Sequence, residues 1–287
     1  MSRPTPHPTR AILVTGANSG VGFEATRALA ADGHPVVLVC RSRPRGEAAM
    51  DRVRVESPEA ELTLVVCDLE DFASVREAAP QLAEIAPRPL ALVNNAGLFR
   101  ARKERTADGF ERTMAVNHLG PYLLTRLLEP ALRTSGARVV QVSSAAHRQA
   151  KLLRGPLRQI LRDPPAYRGF GAYSDSKLAN VLFTRELARR WREVTALSVH
   201  PGMLSTAIWD RNRWSPATVM RLFKPLMGKP EVGGRAVAEV ATHPRYDEYD
   251  GAYVNRIDVE AAQLPEGADA LARELWDASA EAVGLRP

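Results

Sequence analysis

Ala11-Ile12-Leu13-Val14-Thr15-Gly16-Ala17-Asn18-Ser19-Gly20-Val21-Gly22-Phe23 decides the fold. Its first five residues form an apolar run bounded at once by glycine, which reads as a buried parallel strand. Residues 23–31 then carry a helical pattern. Strand, glycine-rich turn and helix, in that order, are the setting a nucleotide-binding turn needs. The glycines let the backbone bend tightly and approach a pyrophosphate, and the start of a helix favours negative charge. The spacing is Gly-x-x-x-Gly-x-Gly, not the commoner Gly-x-Gly-x-x-Gly. Gly16, Asn18, Ser19, Gly20, Val21 and Gly22 are therefore candidate contacts of a dinucleotide.

The second strand, Val36 to Cys40, bears on which dinucleotide. Strands at this place that serve NAD usually end in an acidic residue for the ribose 2′-hydroxyl. Here the run continues Cys40-Arg41-Ser42-Arg43, with Arg45 beyond. A guanidinium offers a fixed fork of donors suited to a phosphate. The strand argues for NADP(H), with Arg41 the first candidate.

The same strand-and-helix rhythm runs on. A strand at 62–67 leads to Asp68-Leu69, with Asp68 placed either to meet an adenine edge or to cap a helix at 72–85. A strand at 90–94 turns at Asn94-Asn95-Ala96-Gly97, where amide side chains can stiffen the backbone. A long helix is predicted over 107–132, with Asn117 inside it among Met114, Val116, Leu119 and Leu123. Asn is a poor helix former, so its place there asks for a reason. A strand at 137–142 ends Ser143-Ser144, and ligands of open α/β sheets sit beyond such carboxyl ends. A short helix at 152–161 precedes Tyr173 and Lys177, whose spacing sets both on one face of a helix that runs to residue 191. An ammonium near a phenol favours the phenolate, so the pair predicts a Tyr pKa below its usual value of about 10. A strand at 194–200 ends Pro201-Gly202. Residues 203–229 hold Trp209, Trp214 and Phe223 and read as a lid reaching to about 230. A helix at 231–242, a strand at 251–254 and a helix at 268–283 close the chain. This alternation gives one α/β domain, a doubly wound parallel sheet of Rossmann type, over 11–287, after a Pro-rich lead at 1–10 expected to be disordered.

Composition narrows the classes. The chain has 287 residues, 45% hydrophobic and 25% charged, ordinary for a globular protein. The net charge is +6, but the basic residues are scattered, with no helix-turn-helix, RNA-binding signature or zinc spacing, so nucleic acid is not expected as a partner. No run approaches the ~18 apolar residues of a membrane span, and none precedes the first strand, so no anchor is expected. Only Cys40 and Cys67 occur, both inside apolar runs, which points to packing and a cytoplasmic setting.

Taken in order, Thr15 to Gly22, Asn94 to Gly97, Asn117, Ser144, Tyr173 with Lys177, and Pro201-Gly202 resemble the short-chain dehydrogenase/reductase family, over nearly the whole chain. Val39-Cys40-Arg41, Asn117-His118-Leu119-Gly120, Ser143-Ser144-Ala145-Ala146-His147, Ser176-Lys177-Leu178-Ala179-Asn180 and Leu275-Trp276-Asp277 resemble its retinol-dehydrogenase-like branch. The resemblance implies NADP(H) as cofactor. It implies Tyr173 as proton donor and acceptor, Lys177 as its partner and a ligand of the nicotinamide ribose, Ser144 as donor to the substrate oxygen, and Asn117 as holder of a water in a proton relay. It also implies dinucleotide contacts at Asp68, Leu69, Asn95, Ala96, Gly97, Tyr173, Lys177, Pro201 and Gly202. Ser143 is the lesser candidate of the serine pair, and no metal is implied. The chain is similar, further, to ketoreductases acting on a side-chain ketone of an aromatic polyketide, of the daunorubicin C-13 type. The expected partner is thus a small hydrophobic carbonyl or alcohol substrate. A broad retinal-like aldehyde reductase, a dinucleotide sensor without turnover, and a non-redox isomerase are the alternatives. Both a monomer and a homodimer remain open.

Overall fold

The computed structural model describes residues 10–151, 155–202 and 228–287. The run that opens the chain, Ile12–Thr15 (β1), lies at the centre of a sheet. It pairs in parallel with Val36–Cys40 (β2) on one side and Ala91–Asn94 (β4) on the other. Leu62–Val66 (β3) pairs with β2. Arg138–Val142 (β5), Thr195–His200 (β6) and Tyr253–Asn255 (β7) extend the sheet beyond β4, all parallel. The order is β3-β2-β1-β4-β5-β6-β7 with one further strand, Asp258–Glu260 (β8), at the edge. That last strand is antiparallel to β7, so the sheet is mostly, not wholly, parallel.

Both faces of the sheet are covered, which is why its strands are apolar throughout. On one face lie Gly20–Ala31 (α1), Arg43–Glu56 (α2) and Pro230–Thr242, and they pack on Ile12, Val14, Leu38, Val93, Val140 and Val199. The other face carries Phe72–Ile85 (α3), Gly169–Arg190 and Ala268–Ala282, over Leu13, Val37, Leu92, Val139 and Ala196.

Some sequence expectations are corrected here. The single helix expected over 107–132 is four pieces: Arg112–Met114 (α4), a π turn at Ala115–Leu119, Gly120–Leu127 (α5) and Glu129–Ser135 (α6). It begins at residue 112 because the buried Glu111 carboxylate accepts from Thr113 N and Met114 N, both at 2.8 Å. Two prolines account for the interruptions. Pro121 has no N–H for the carbonyl of Asn117, and Pro130 has none for that of Arg126. The Asn94 turn is held from below: Thr15 Oγ1 accepts from Asn95 N and Ala96 N, each at 3.0 Å. The alternative of Asp68 capping α3 also falls. Asp71 is the cap, accepting from Ala73 N and Ser74 N, while Asp68 accepts from Glu70 N at 3.2 Å. The short helix near 152–161 spans Leu157–Arg162 (α7), and residues 152–154 lie outside the described residues. The Tyr173 helix begins eight residues earlier than its apolar pattern, at Gly169 (α8, to Arg190). Pro230–Thr242 is α9 and Ala268–Ala282 is α10. Nearly all of the expected lid, and of the lead at 1–10, lies outside the described residues.

Candidate active site

A cavity of about 530 Å³ opens along the carboxyl ends of β1, β2, β4, β5 and β6. The glycine turn forms its floor. Gly16 holds φ +65°, a left-handed conformation that side-chain-bearing residues rarely adopt. A Cβ on Gly22 would lie 2.2 Å from Asn95 Nδ2 and 2.5 Å from Gly16 O, so only glycine lets α1 start this close to the β4 turn. Asn95 Nδ2 in turn donates to Thr15 O at 2.8 Å. Gly16, Asn18, Ser19, Gly20, Val21 and Gly22 all line the cavity, as do Asn95, Ala96 and Gly97. Arg41 stands at one end with Ser42 and Arg45, and Asp68 and Leu69 beside it; Pro201 and Gly202 close the far wall.

The other end carries the titratable groups. Tyr173 and Lys177 share one face of α8, and Ser144 follows β5. Tyr173, Lys177 and Ser144 all line the cavity. The Ser144 side chain lies beside the Tyr173 hydroxyl and favours its anion. Ser144 Oγ accepts from Ala146 N at 3.2 Å, which fixes the first turn of a 3₁₀ helix, Ala145–Gln149. Lys177 Nζ lies 5.5 Å from the centroid of the Tyr173 ring and donates to Val142 O at 2.9 Å. Ser143 lines the cavity too, but its hydroxyl is turned to the helix and donates to Lys177 O at 2.8 Å.

The electrostatics correct one expectation. Burial pushes the Tyr173 phenol up to about 12, and the neighbouring Ser144 side chain offsets only part of that. The predicted downward shift is not seen because the ammonium is itself desolvated, to about 8, and spends its hydrogen bond on Val142 O. At neutral pH the pair is therefore a protonated phenol beside a mostly charged ammonium. His200, also on the cavity, is pushed down to about 4 by burial and by the cations around it.

Asn117 does not line the cavity. It sits in the π turn behind it, fully buried, and clamps the backbone past Gly97. Its Oδ1 accepts from Leu98 N at 2.7 Å, and its Nδ2 donates to Leu98 O at 3.0 Å and to Ser176 Oγ at 2.9 Å. Ser176 Oγ donates to Tyr173 O at 2.7 Å, so Asn117 ties the β4 loop to the Tyr173 turn. The sequence reading missed the wall next to Tyr173. Phe99 meets the Tyr173 ring edge-on, 6.2 Å between centroids, and the half-exposed Phe170 stands on the same cavity. Phe99 lies alone in a loop and Phe170 at the start of α8, ahead of its apolar pattern, so neither gives a periodic signal. The twin backbone bonds to Thr15 were also missed; they follow only once β1 and β4 are known to be neighbours.

A dinucleotide fits these residues. Ser19, at the N-terminus of α1, makes no side-chain cap bond, which leaves the first-turn amides of that helix open to the cavity. Among the described residues neither Arg41 nor Arg45 pairs with a carboxylate, whereas Arg43 reaches Glu47. Such a cofactor would lie along the turn from Gly16 to Gly22, with Lys177 at its other end.

Residues 10–154 match the family described as short chain dehydrogenase. The chain is 36% identical over 282 residues to human "Retinol dehydrogenase 12", covering 97% of this chain and 88% of that one. It is 39% identical over 288 residues to "Dehydrogenase/reductase SDR family member 13" of Bos taurus, covering 97% and 74%. A crystal structure of an uncharacterised protein from Mycobacterium paratuberculosis superposes with a TM-score of 0.74 at 29% identity, over 96% of this chain and 94% of that one. The ordered turn, amides, serine and Tyr–Lys pair, on this sheet and with these relatives, identify the chain as a short-chain dehydrogenase/reductase of the retinol-dehydrogenase-like kind, an oxidoreductase.

Proposed function

We propose that the chain is an NADPH-dependent reductase of a ketone or aldehyde on a bulky hydrophobic substrate, here the side-chain ketone of an aromatic polyketide. One observation carries this reading. A single cavity has at one end guanidiniums that pair with no carboxylate among the described residues, and at the other a protonated phenol beside a serine. The bound nicotinamide would supply hydride to the carbonyl carbon and leave oxidised. Tyr173 gives its proton to the carbonyl oxygen, so C=O becomes CH–OH. Ser144 donates to that oxygen while charge develops there. Lys177 holds the nicotinamide ribose, and Asn117 keeps a water in the path that returns a proton toward Lys177. The π turn suits that role, since Pro121 leaves the Asn117 carbonyl without its ordinary helical donor. Phe99 and Phe170 offer ring faces and edges to a flat substrate.

The likeness to human "Retinol dehydrogenase 12" favours a second reading, a broad reductase of retinal-like aldehydes. One screen separates them. NADPH consumption is measured over anthracycline-type ketones, retinal and simple aryl aldehydes, and repeated with NADH. A kcat/KM for the polyketide ketone at least tenfold above that for retinal supports the first reading, and the reverse ranking the second. A preference for NADH overturns the cofactor assignment. Binding of NADPH without turnover of any carbonyl would leave a sensor or an isomerase.

A further inference from the structure

The carbonyl of Val142 stands where β5 ends under the catalytic helix, and it is bonded twice. Lys177 Nζ donates to it at 2.9 Å and Asn180 Nδ2 at 3.2 Å. The two donors are three residues apart on one face of α8. Asn180 is buried and does not line the cavity, so a ligand there would not touch it. Its amide also has a direction. On its other side is His118, close enough that the Asn180 oxygen favours the charged ring, although neither His118 Nδ1 nor Asn180 Oδ1 has a hydrogen-bond partner among the described residues. His118 Nε2 lies 2.8 Å from Ser279 Oγ, and its ring packs against Tyr122 and Phe183. Burial keeps that imidazole neutral, with its pKa near 3. A neutral imidazole has one N–H and one acceptor. The Asn180 NH₂ is set toward Val142 by its own bond to that carbonyl.

We propose that Asn180 is a positioning residue for Lys177: it keeps the Val142 carbonyl bonded when the ammonium turns into the cavity. Without a second donor, each departure of Lys177 would leave a buried carbonyl unpaired, which opposes the move. With it, Lys177 leaves at little loss. The inference rests on the reading of Lys177 as a ligand of the nicotinamide ribose, since that is the bond the ammonium turns to make.

Two measurements on Asn180→Leu, which keeps the shape and removes the donor, test it. The first needs no cofactor. The chain has only five lysines, so carbon-13 lysine side-chain resonances resolve the Lys177 titration, assigned with Lys177→Arg. The groups that bear on this ammonium are Tyr173 on its own helix and His200 on β6, titrating near 12 and 4, so neither charges between pH 6 and 10. Removing the amide dipole that shares its acceptor should strengthen the ammonium's hold on Val142 and raise the Lys177 midpoint by about half a unit or more. The second is the NADPH dissociation constant, expected to rise about tenfold through the unmatched carbonyl. Asn180→Ala, which also removes the donor, should move both in the same direction, and carries the test if Asn180→Leu does not fold. A midpoint that stays or falls overturns the proposal whatever the cofactor does. A raised midpoint with unchanged NADPH affinity also overturns it, because no hand-over then occurs. If the wild-type chain binds no dinucleotide while the midpoint still rises, the proposed function fails and the coupling of Asn180 to Lys177 stands.

Discussion

Tyr173 and Lys177 stand four residues apart on one helix face, and burial moves them oppositely. It raises the phenol to about 12 and lowers the ammonium to about 8. A proton donor is filled below its pKa, so raising Tyr173 keeps it a full donor through neutral pH, the state carbonyl reduction requires. Alcohol oxidation needs the deprotonated form and should therefore climb with pH over the same range. Lys177 loses its charge first, so NADPH affinity should weaken as pH passes about 8 while reduction below that point stays flat. A reduction rate that rises from pH 6 to 8 would contradict this order of titration. Tyr173→Phe keeps the ring and its edge contact with Phe99 but removes the proton. The rate should fall by about 10²–10⁴ with NADPH still bound, read by single-turnover kinetics and by fluorescence titration. Near wild-type turnover would place the donor elsewhere. Arg41→Asp, at the other end of the cavity, introduces the carboxylate that β2 lacks. NADPH affinity should fall at least tenfold and NADH affinity improve relative to it, because the new charge repels a 2′-phosphate and accepts from a 2′-hydroxyl.

At the scale of the element, legibility in the sequence tracks how each piece buries itself. The central strands were plain because both their faces are covered and they read as unbroken apolar runs. Polar residues at the ends of the strands stood out for a related reason: Thr15, Asn94, Ser143 and His200 interrupt those runs at their carboxyl ends. α2 was not legible, since what it buries is Gly46, Ala49 and Val53, small residues that leave the segment looking polar. The π turn was missed because Pro121 sits inside a strongly helical pattern, and its lost N–H matters only through the residue four before it. β8 was missed because the hairpin turns through Arg256-Ile257 and not through Asn-Gly or Asp-Gly. Arg256 carries φ 58°, unfavourable for a residue with a side chain. Its N–H donates to His200 O at 2.7 Å, a backbone bond any residue keeps. Arg256→Gly should thus stabilise the protein by up to about 1 kcal/mol, less than the full left-handed penalty because glycine also loses more freedom on folding. Thermal unfolding measures it, and a lower Tm would show that the Arg256 side chain matters more than its backbone.

Across the whole molecule the two ends of the sheet do different work, and Arg138 shows this. It opens β5, whose other end is Val142 at the cavity, and it is 7% exposed. Its guanidinium reaches past the sheet to the last turn of α9, donating to Val240 O at 2.8 Å and His243 O at 3.1 Å, and it pairs with Asp247. Arg10 does the same nearby, donating to Pro89 O and Ser135 O. Carbonyls at the end of a helix need donors, and a buried cation supplies them while meeting the negative end of the helix dipole. The cavity lies a full strand length away, at the opposite ends of the same strands. Arg138→Met keeps the aliphatic stem and removes the donors. It should destabilise the fold by about 2–3 kcal/mol, since bonds made by a charged group are lost and the buried Val240 carbonyl is left without its donor. For a domain of this size that is a fall in Tm of roughly 4–10 °C. Asp247 is mostly exposed and returns to water, which keeps the loss from growing further. Below the transition the sheet still presents Tyr173, Lys177 and Ser144 unchanged, so kcat/KM at 25 °C should stay within about twofold. Were activity instead to fall while Tm held, the two ends would be coupled through β5, and the division of labour between them would be wrong.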